Sequence, residues 1–177
     1  MKLARQSHDE IENFFREHLN EKYLRLPRMQ IHCGQFAHVL TKGLRVGAIT
    51  FGPHVFVAPR LVHYDQENRL KVPGWLIAHE ATHVLQYKRA GMVGFFINYL
   101  RGYWRALREN RRFNRAARMA AYLSIAEECD AREAETAFGV WQSQVARAEE
   151  VSNRFSDSAL NSQATRQQSD QRNVTNS

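Results

Sequence analysis

Apolar residues recur three and four apart at the start of the chain, at Ile11, Phe14, Phe15, His18 and Leu19, and Ser7 with Glu10 has the spacing of a capping box. This pattern predicts an amphipathic helix running to about Leu24 and closed by Pro27. The period then shortens to two. Met29 and Ile31 alternate with Gln30 and His32, Gly34 opens a short helix carrying Phe36, Val39 and Leu40, and Val46, Ala48 and Thr50 alternate again after Gly43. Gly52-Pro53 reads as a turn and His54 to Ala58 as another short strand, so a small antiparallel sheet is expected. After Pro73-Gly74, helical spacing returns at Trp75, Leu76, Ile77, Val84 and Leu85 and stops at Gly91. Helical periodicity also marks the alanine-rich segment around Glu127 to Glu133, and Val140, Trp141, Val145 and Ala148 permit a last helix after Gly139.

From Val151 the chain turns to Ser, Asn, Gln and Thr without periodicity, which predicts disorder. The 177 residues, 44% hydrophobic and 11% aromatic, suffice for one sizeable core. The expected fold class is α+β: one helix-dominated domain over residues 1–150 with a small antiparallel sheet, followed by a polar tail over 151–177.

The helix after Gly74 carries His79-Glu80-Ala81-Thr82-His83. Residues four apart on a helix lie one turn above each other, so the two imidazoles can converge on one metal ion. Glu80 then stands beside that position as a candidate general base for an activated water. A zinc site of this kind takes a third protein ligand and keeps one position open. Acidic residues cluster downstream at Glu127, Glu128, Asp130 and Glu133, with Cys129 a weaker donor. A small-residue face formed by Ala120, Leu123, Ala126 and Ala131 would let Glu127 or Glu128 project inward. The opposing reading is a solvated face on which Glu128 pairs with Arg132 at i,i+4.

The run His79 to Gln86, the strand-like Gly47 to Pro59 before it and Glu128 to Ala131 after it together resemble the bacterial minigluzincins, a group of zinc metallopeptidases; the resemblance spans roughly residues 28 to 138. It implies that His79, His83 and Glu128 bind Zn²⁺ and that Glu80 activates water. Many gluzincins carry an Asp four residues after the ligand Glu to orient a ligand histidine, and this chain has Arg132 there. The activity implied is that of a zinc metalloendopeptidase, a hydrolase of peptide bonds.

An extended substrate would pair with an edge strand, for which either strand of the Val46 to Ala58 hairpin is a candidate. Tyr122 and His54 are candidate oxyanion donors, and His54 and His63 precede the site closely enough to reach it. Between the metal helix and the acidic helix, Phe95, Phe96, Tyr99, Leu100, Tyr103, Trp104 and Leu107 form an apolar stripe. Arg101, Arg105, Arg108, Arg111, Arg112, Arg115 and Arg118 stand there against Glu109 and carry most of the net charge of +7. The stripe reads as core with a basic solvated face, or as a docking helix for anionic lipid. The latter supports an alternative function, a non-catalytic zinc-stabilised module that docks on a membrane surface or protein partner through residues 95–118. Nucleic acid is disfavoured, since no helix-turn-helix, zinc-finger or RNA-binding signature accompanies the charge.

Cys33 and Cys129 lie far apart and make no CxxC pair, which fits a reducing compartment. No apolar stretch of signal-peptide length occupies the N-terminus, and Gly91 to Ile97 is too short to span a bilayer. A cytoplasmic protein is expected, with peripheral membrane attachment through the basic segment as an option. The expected partner is a peptide or protein substrate.

Overall fold

The computed structural model describes residues 3–64, 70–109 and 114–174. Helix α1 (Arg5–His18) turns Ile11, Phe14 and Phe15 into the core, as their spacing requires. It begins and ends differently from the sequence pattern. Its N-cap is Ala4 with no side-chain cap, so Ser7 and Glu10 lie inside the helix rather than forming a capping box. It ends at His18, not near Leu24, with Asn20 at φ 51°. The physical reason is Glu12, which is buried and accepts from the Leu26 backbone N–H at 2.9 Å while pairing with Arg16 and Arg25. This folds residues 19–26 back along α1, burying Leu24 and Leu26.

Strands β1 (Gln30–His32), β2 (Ala48–Phe51) and β3 (His54–Val57) form a sheet in the order β1-β3-β2. The sheet is mixed, not purely antiparallel. β2 and β3 make the antiparallel hairpin through the Gly52 turn at φ 56°, but β1 runs parallel to β3, with Ile31 opposite Val55. Helix α2 (Gln35–Leu44) and β2 supply the crossover that parallel pairing needs. β3 is therefore central and β2 is an edge. A 3-10 turn (Pro59–Leu61) precedes a second, two-stranded sheet, β4 (His63–Tyr64) with β5 (Leu70–Lys71).

Helix α3 (Gly74–Glu109) is two helical stretches meeting at Gly91, whose φ 69° and ψ 164° are open only to glycine. Helix α4 (Arg115–Leu123) is capped by Asn114, whose side chain accepts from the Ala117 N–H at 2.8 Å. Helix α5 (Ala126–Val174) runs through Gly139, which ends nothing, and into the polar segment after Val151 for which composition predicts disorder. No Gly or Pro follows Gly139 to break it.

The chain divides into two compact units, Met1–Gly139 and Val140–Ser177. The first holds the core: Phe14, Phe15, Met29, Ile31, Val55, Val57, Val84, Ile125 and Phe138 are among its most deeply buried side chains. Phe14 packs edge-on against Phe138 at 5.2 Å between ring centroids, which ties α1 to α5. The architecture is α+β and helix-dominated with a small sheet, as the sequence predicts.

Candidate metal centre

The first stretch of α3 packs against β2, and its inward face presents His79, Glu80 and His83. The start of α5 presents Glu128 to the same point. Its Oε2 lies 3.7 Å from His79 Nε2 and its Oε1 lies 3.7 Å from His83 Nε2, with donor atoms of all three residues within 4.8 Å of one another. Glu128 is only 4% exposed, so it does not sit on a solvated face. Its rival partner Arg132 turns away, with its guanidinium on the Leu123 carbonyl and on Cys129 Sγ. Among the described residues, Glu127, Asp130, Glu133 and Cys129 do not join the cluster.

Two imidazole nitrogens and a carboxylate suit a divalent ion. Tetrahedral bonds of about 2.0–2.2 Å would place donors roughly 3.4 Å apart. The 3.7 Å separations lie close to that. The group can hold a metal ion.

The outer partners fix which nitrogens face inward. His79 Nδ1–H donates to Glu135 Oε2 at 3.2 Å, and His83 Nδ1–H donates to Gln86 Oε1 at 2.9 Å. Gln86 is oriented in turn, since its Nε2 donates to the Glu127 carbonyl at 3.1 Å and to Asp130 at 3.3 Å. With both Nδ1 atoms so engaged, both Nε2 atoms face Glu128 and are the ones available to a metal ion. Sequence reasoning missed Glu135 and Gln86. Their signals are spacings: Glu135 is seven residues beyond Glu128, two turns along the same face, and Gln86 is three beyond His83. It is Glu135, not the residue at position 132, that meets His79 Nδ1.

Tyr99 donates to Glu128 Oε1 at 3.0 Å and Tyr122 to Oε2 at 2.7 Å. The break at Gly91 makes the first contact available, because the second stretch of α3 brings Phe95 against His83 and Tyr99 onto Glu128. Burial raises the Glu128 pKa, but contacts with His79 and His83 and the two phenols outweigh it and hold the carboxyl at about 2. His79 is raised: burial opposes its charge, and Glu128, Glu80 and Glu135 overcome that opposition. Both phenols are pushed well above the usual tyrosine range, by burial first and by Glu128 next.

Glu80 is 4% exposed and accepts from Thr50 Oγ1 on β2 at 2.7 Å. Burial raises its pKa against the lowering effect of His83, Thr50 and His79. Tyr87 anchors the same point of β2, donating to the Thr50 carbonyl at 3.0 Å. The site opens into a cavity of about 770 Å³ walled by β2, by Trp75 and Phe96 of α3, and by Arg115, Arg118, Met119 and Tyr122 of α4.

Of the remaining sequence candidates, Tyr122 reaches the site. His54 does not; its Nδ1 lies 3.1 Å from His32 Nε2 on the sheet, and His63 is exposed on β4. The apolar stripe of α3 divides: Phe95 and Leu107 are buried, Tyr99 and Tyr103 line the cavity, and Phe96, Leu100 and Trp104 are exposed. Arg101, Arg105 and Arg108 are exposed, while Arg111 and Arg112 lie outside the described residues. Cys33 and Cys129 are free thiols. No helix among the described residues is long and apolar enough to cross a membrane.

Residues 6–91 match the family model of the eCIS core domain. The matched span contains His79, Glu80 and His83 and stops before Glu128 and Glu135. No curated protein and no solved structure matches the chain.

Proposed function

We propose that the chain is a zinc-dependent metallopeptidase hydrolysing peptide bonds, with His79, His83 and Glu128 as the metal ligands and Glu80 as the general base. The observation that carries this reading is the meeting of the three donors with a buried Glu80 held by an edge strand at one cavity wall. The minigluzincin resemblance of His79 to Gln86 and Glu128 to Ala131 supports it.

A zinc ion bound there supplies Lewis acidity, polarising a carbonyl and lowering the pKa of water. The chain supplies the rest. Glu80, its pKa raised by burial, accepts a proton from the attacking water and passes it to the leaving amine. Thr50 fixes one Glu80 oxygen, so the proton is handled at a defined place. Tyr99 and Tyr122 hold Glu128, and Glu135 and Gln86 hold the histidine rings. β2 is an edge strand that lines the cavity, and although Tyr87 takes the Thr50 carbonyl, an extended peptide can add alongside it as a further strand. The test is hydrolysis of a peptide library by the zinc-loaded chain, abolished by a chelator and restored by zinc. Zinc-loaded protein without turnover on any peptide contradicts the proposal.

A second reading, a zinc-stabilised module docking on an anionic membrane surface or a protein partner, is favoured by the exposure of Leu100 (51%) and Trp104 (54%) beside Arg101, Arg105 and Arg108. Co-sedimentation with anionic liposomes should fall when the three arginines are replaced by Gln. Unchanged binding rejects the lipid-docking form of this reading.

A further inference from the structure

The charge of the cavity wall is one-sided once the centre itself is set apart. Its carboxylates, Glu80, Glu128 and Glu135, are all engaged by Thr50, the tyrosines and the ligand histidines. The other charged side chains lining it are Arg45, Arg115 and Arg118, all exposed, and among the described residues none of them makes an ion pair. Arg115, Arg118 and Tyr122 stand three and four residues apart on α4, one face of one helix. At a helical rise of 1.5 Å per residue, Arg118 lies about 6 Å and Arg115 about 10 Å along that face from Tyr122, whose hydroxyl touches Glu128. For a peptide running along that face at about 3.3 Å per residue, these distances correspond to side chains roughly two and three residues from a bond held at the centre. Arg45, the C-cap residue of α2 just before β2, lines the same cavity.

We propose that the cleft selects extended peptides with acidic side chains about two and three residues from the bond at the metal centre, and that Arg115 and Arg118 are the residues that determine this specificity. The proposal rests on the peptidase reading of the site and adds the substrate class. Guanidinium groups pair with carboxylates bidentately, whereas a lysine-bearing peptide would bring like charges together in the cavity. The apolar wall formed by Trp75, Phe96 and Met119 accommodates neutral side chains between the charged positions.

The test uses the full chain and matched fluorescent ten-residue peptides carrying Glu, Gln or Lys at the flanking positions. Binding is read by anisotropy on zinc-loaded Glu80→Gln protein, so that hydrolysis does not intervene. The Glu peptide should bind about tenfold or more tightly than the Lys peptide at low salt, with the ratio shrinking as salt is added. Adding Arg115→Gln and Arg118→Gln should bring the ratio close to one, and Arg115→Glu with Arg118→Glu should invert it; circular dichroism and zinc content verify that each variant is folded. Equal binding of the Glu and Lys peptides overturns the proposal, as does a ratio that survives both double substitutions. Arginine-dependent binding of a single-stranded oligonucleotide tighter than that of the Glu peptide overturns it in favour of nucleic acid. Cleavage by the unsubstituted zinc-loaded chain is measured in parallel. Failure to cleave any peptide defeats the hydrolytic reading, while the binding ratio decides the charge preference separately.

Discussion

His79 and Glu135 are joined 3.2 Å apart, Nδ1 to Oε2, across 56 residues of sequence. Glu135, on the helix that carries Glu128, thus orients the ring of His79, one of the three residues that could hold a metal ion. Glu135→Ala is expected to weaken zinc affinity by about 10–100-fold, and Glu135→Gln by less because the amide oxygen still accepts. Competition against a chromophoric chelator measures this, and unaltered affinity in Glu135→Ala removes the role.

Arg132 bears on the choice of ligand from the other side. Because it binds the Leu123 carbonyl and not Glu128, Arg132→Ala should leave zinc affinity unchanged while costing up to about 1 kcal/mol of stability. Zinc titration and denaturant unfolding of the same variant read the two effects. A large loss of zinc affinity would show that Arg132 acts on Glu128.

The metal-free chain should have a distinct acid limb. Glu128 is held at about 2 against an ordinary value of 4.5, so the unfolded state binds the proton first. Its contribution is present above about pH 4.5 and is lost as the pH falls toward about 2. His79 is raised, so its contribution is present below 6.5 and lost as the pH rises through the raised value. Glu80 is also raised, so its ionisation costs stability as the pH climbs above 4.5. Urea unfolding of metal-free protein across pH should show a shallower acid limb in Glu128→Gln.

Thr50→Val keeps the shape of the β2 side chain and removes the donor to Glu80 Oε2. The buried carboxylate then loses a group that lowers its pKa, and the acid limb of kcat/KM should move to higher pH. An unchanged pH profile would show that Thr50 does not tune Glu80.

In the core, Phe14→Ala is expected to cost about 3–5 kcal/mol, because the ring is 1% exposed and meets Phe138 edge-on. A loss under about 1 kcal/mol in denaturant unfolding would contradict that packing.

The helices and strands that carry a clear period were legible in the sequence: the α1 apolar face, the two short strands of the hairpin, the metal helix and its end at Gly91. What period cannot give is pairing. β1 joins β3 in parallel because α2 and β2 carry the chain across, a long-range choice that alternation in Gln30 to His32 does not encode. The early end of α1 likewise depends on Glu12 meeting Leu26, a contact of buried charge that the local pattern hides. At the site, His79, Glu80 and His83 follow from spacing alone. Glu128 was implied by the resemblance and not by periodicity, which left Glu127 and the pairing with Arg132 open, and Glu135 and Gln86 become visible only when the ring nitrogens have positions to fill.

The most direct test measures zinc content and peptide turnover side by side in the unsubstituted chain and in Glu80→Gln. The expected result is one zinc per chain in both, with hydrolysis lost by about 100-fold or more in the variant. Equal turnover in the two proteins, or zinc lost together with activity, would contradict Glu80 as the general base beside an independent His79, His83 and Glu128 centre.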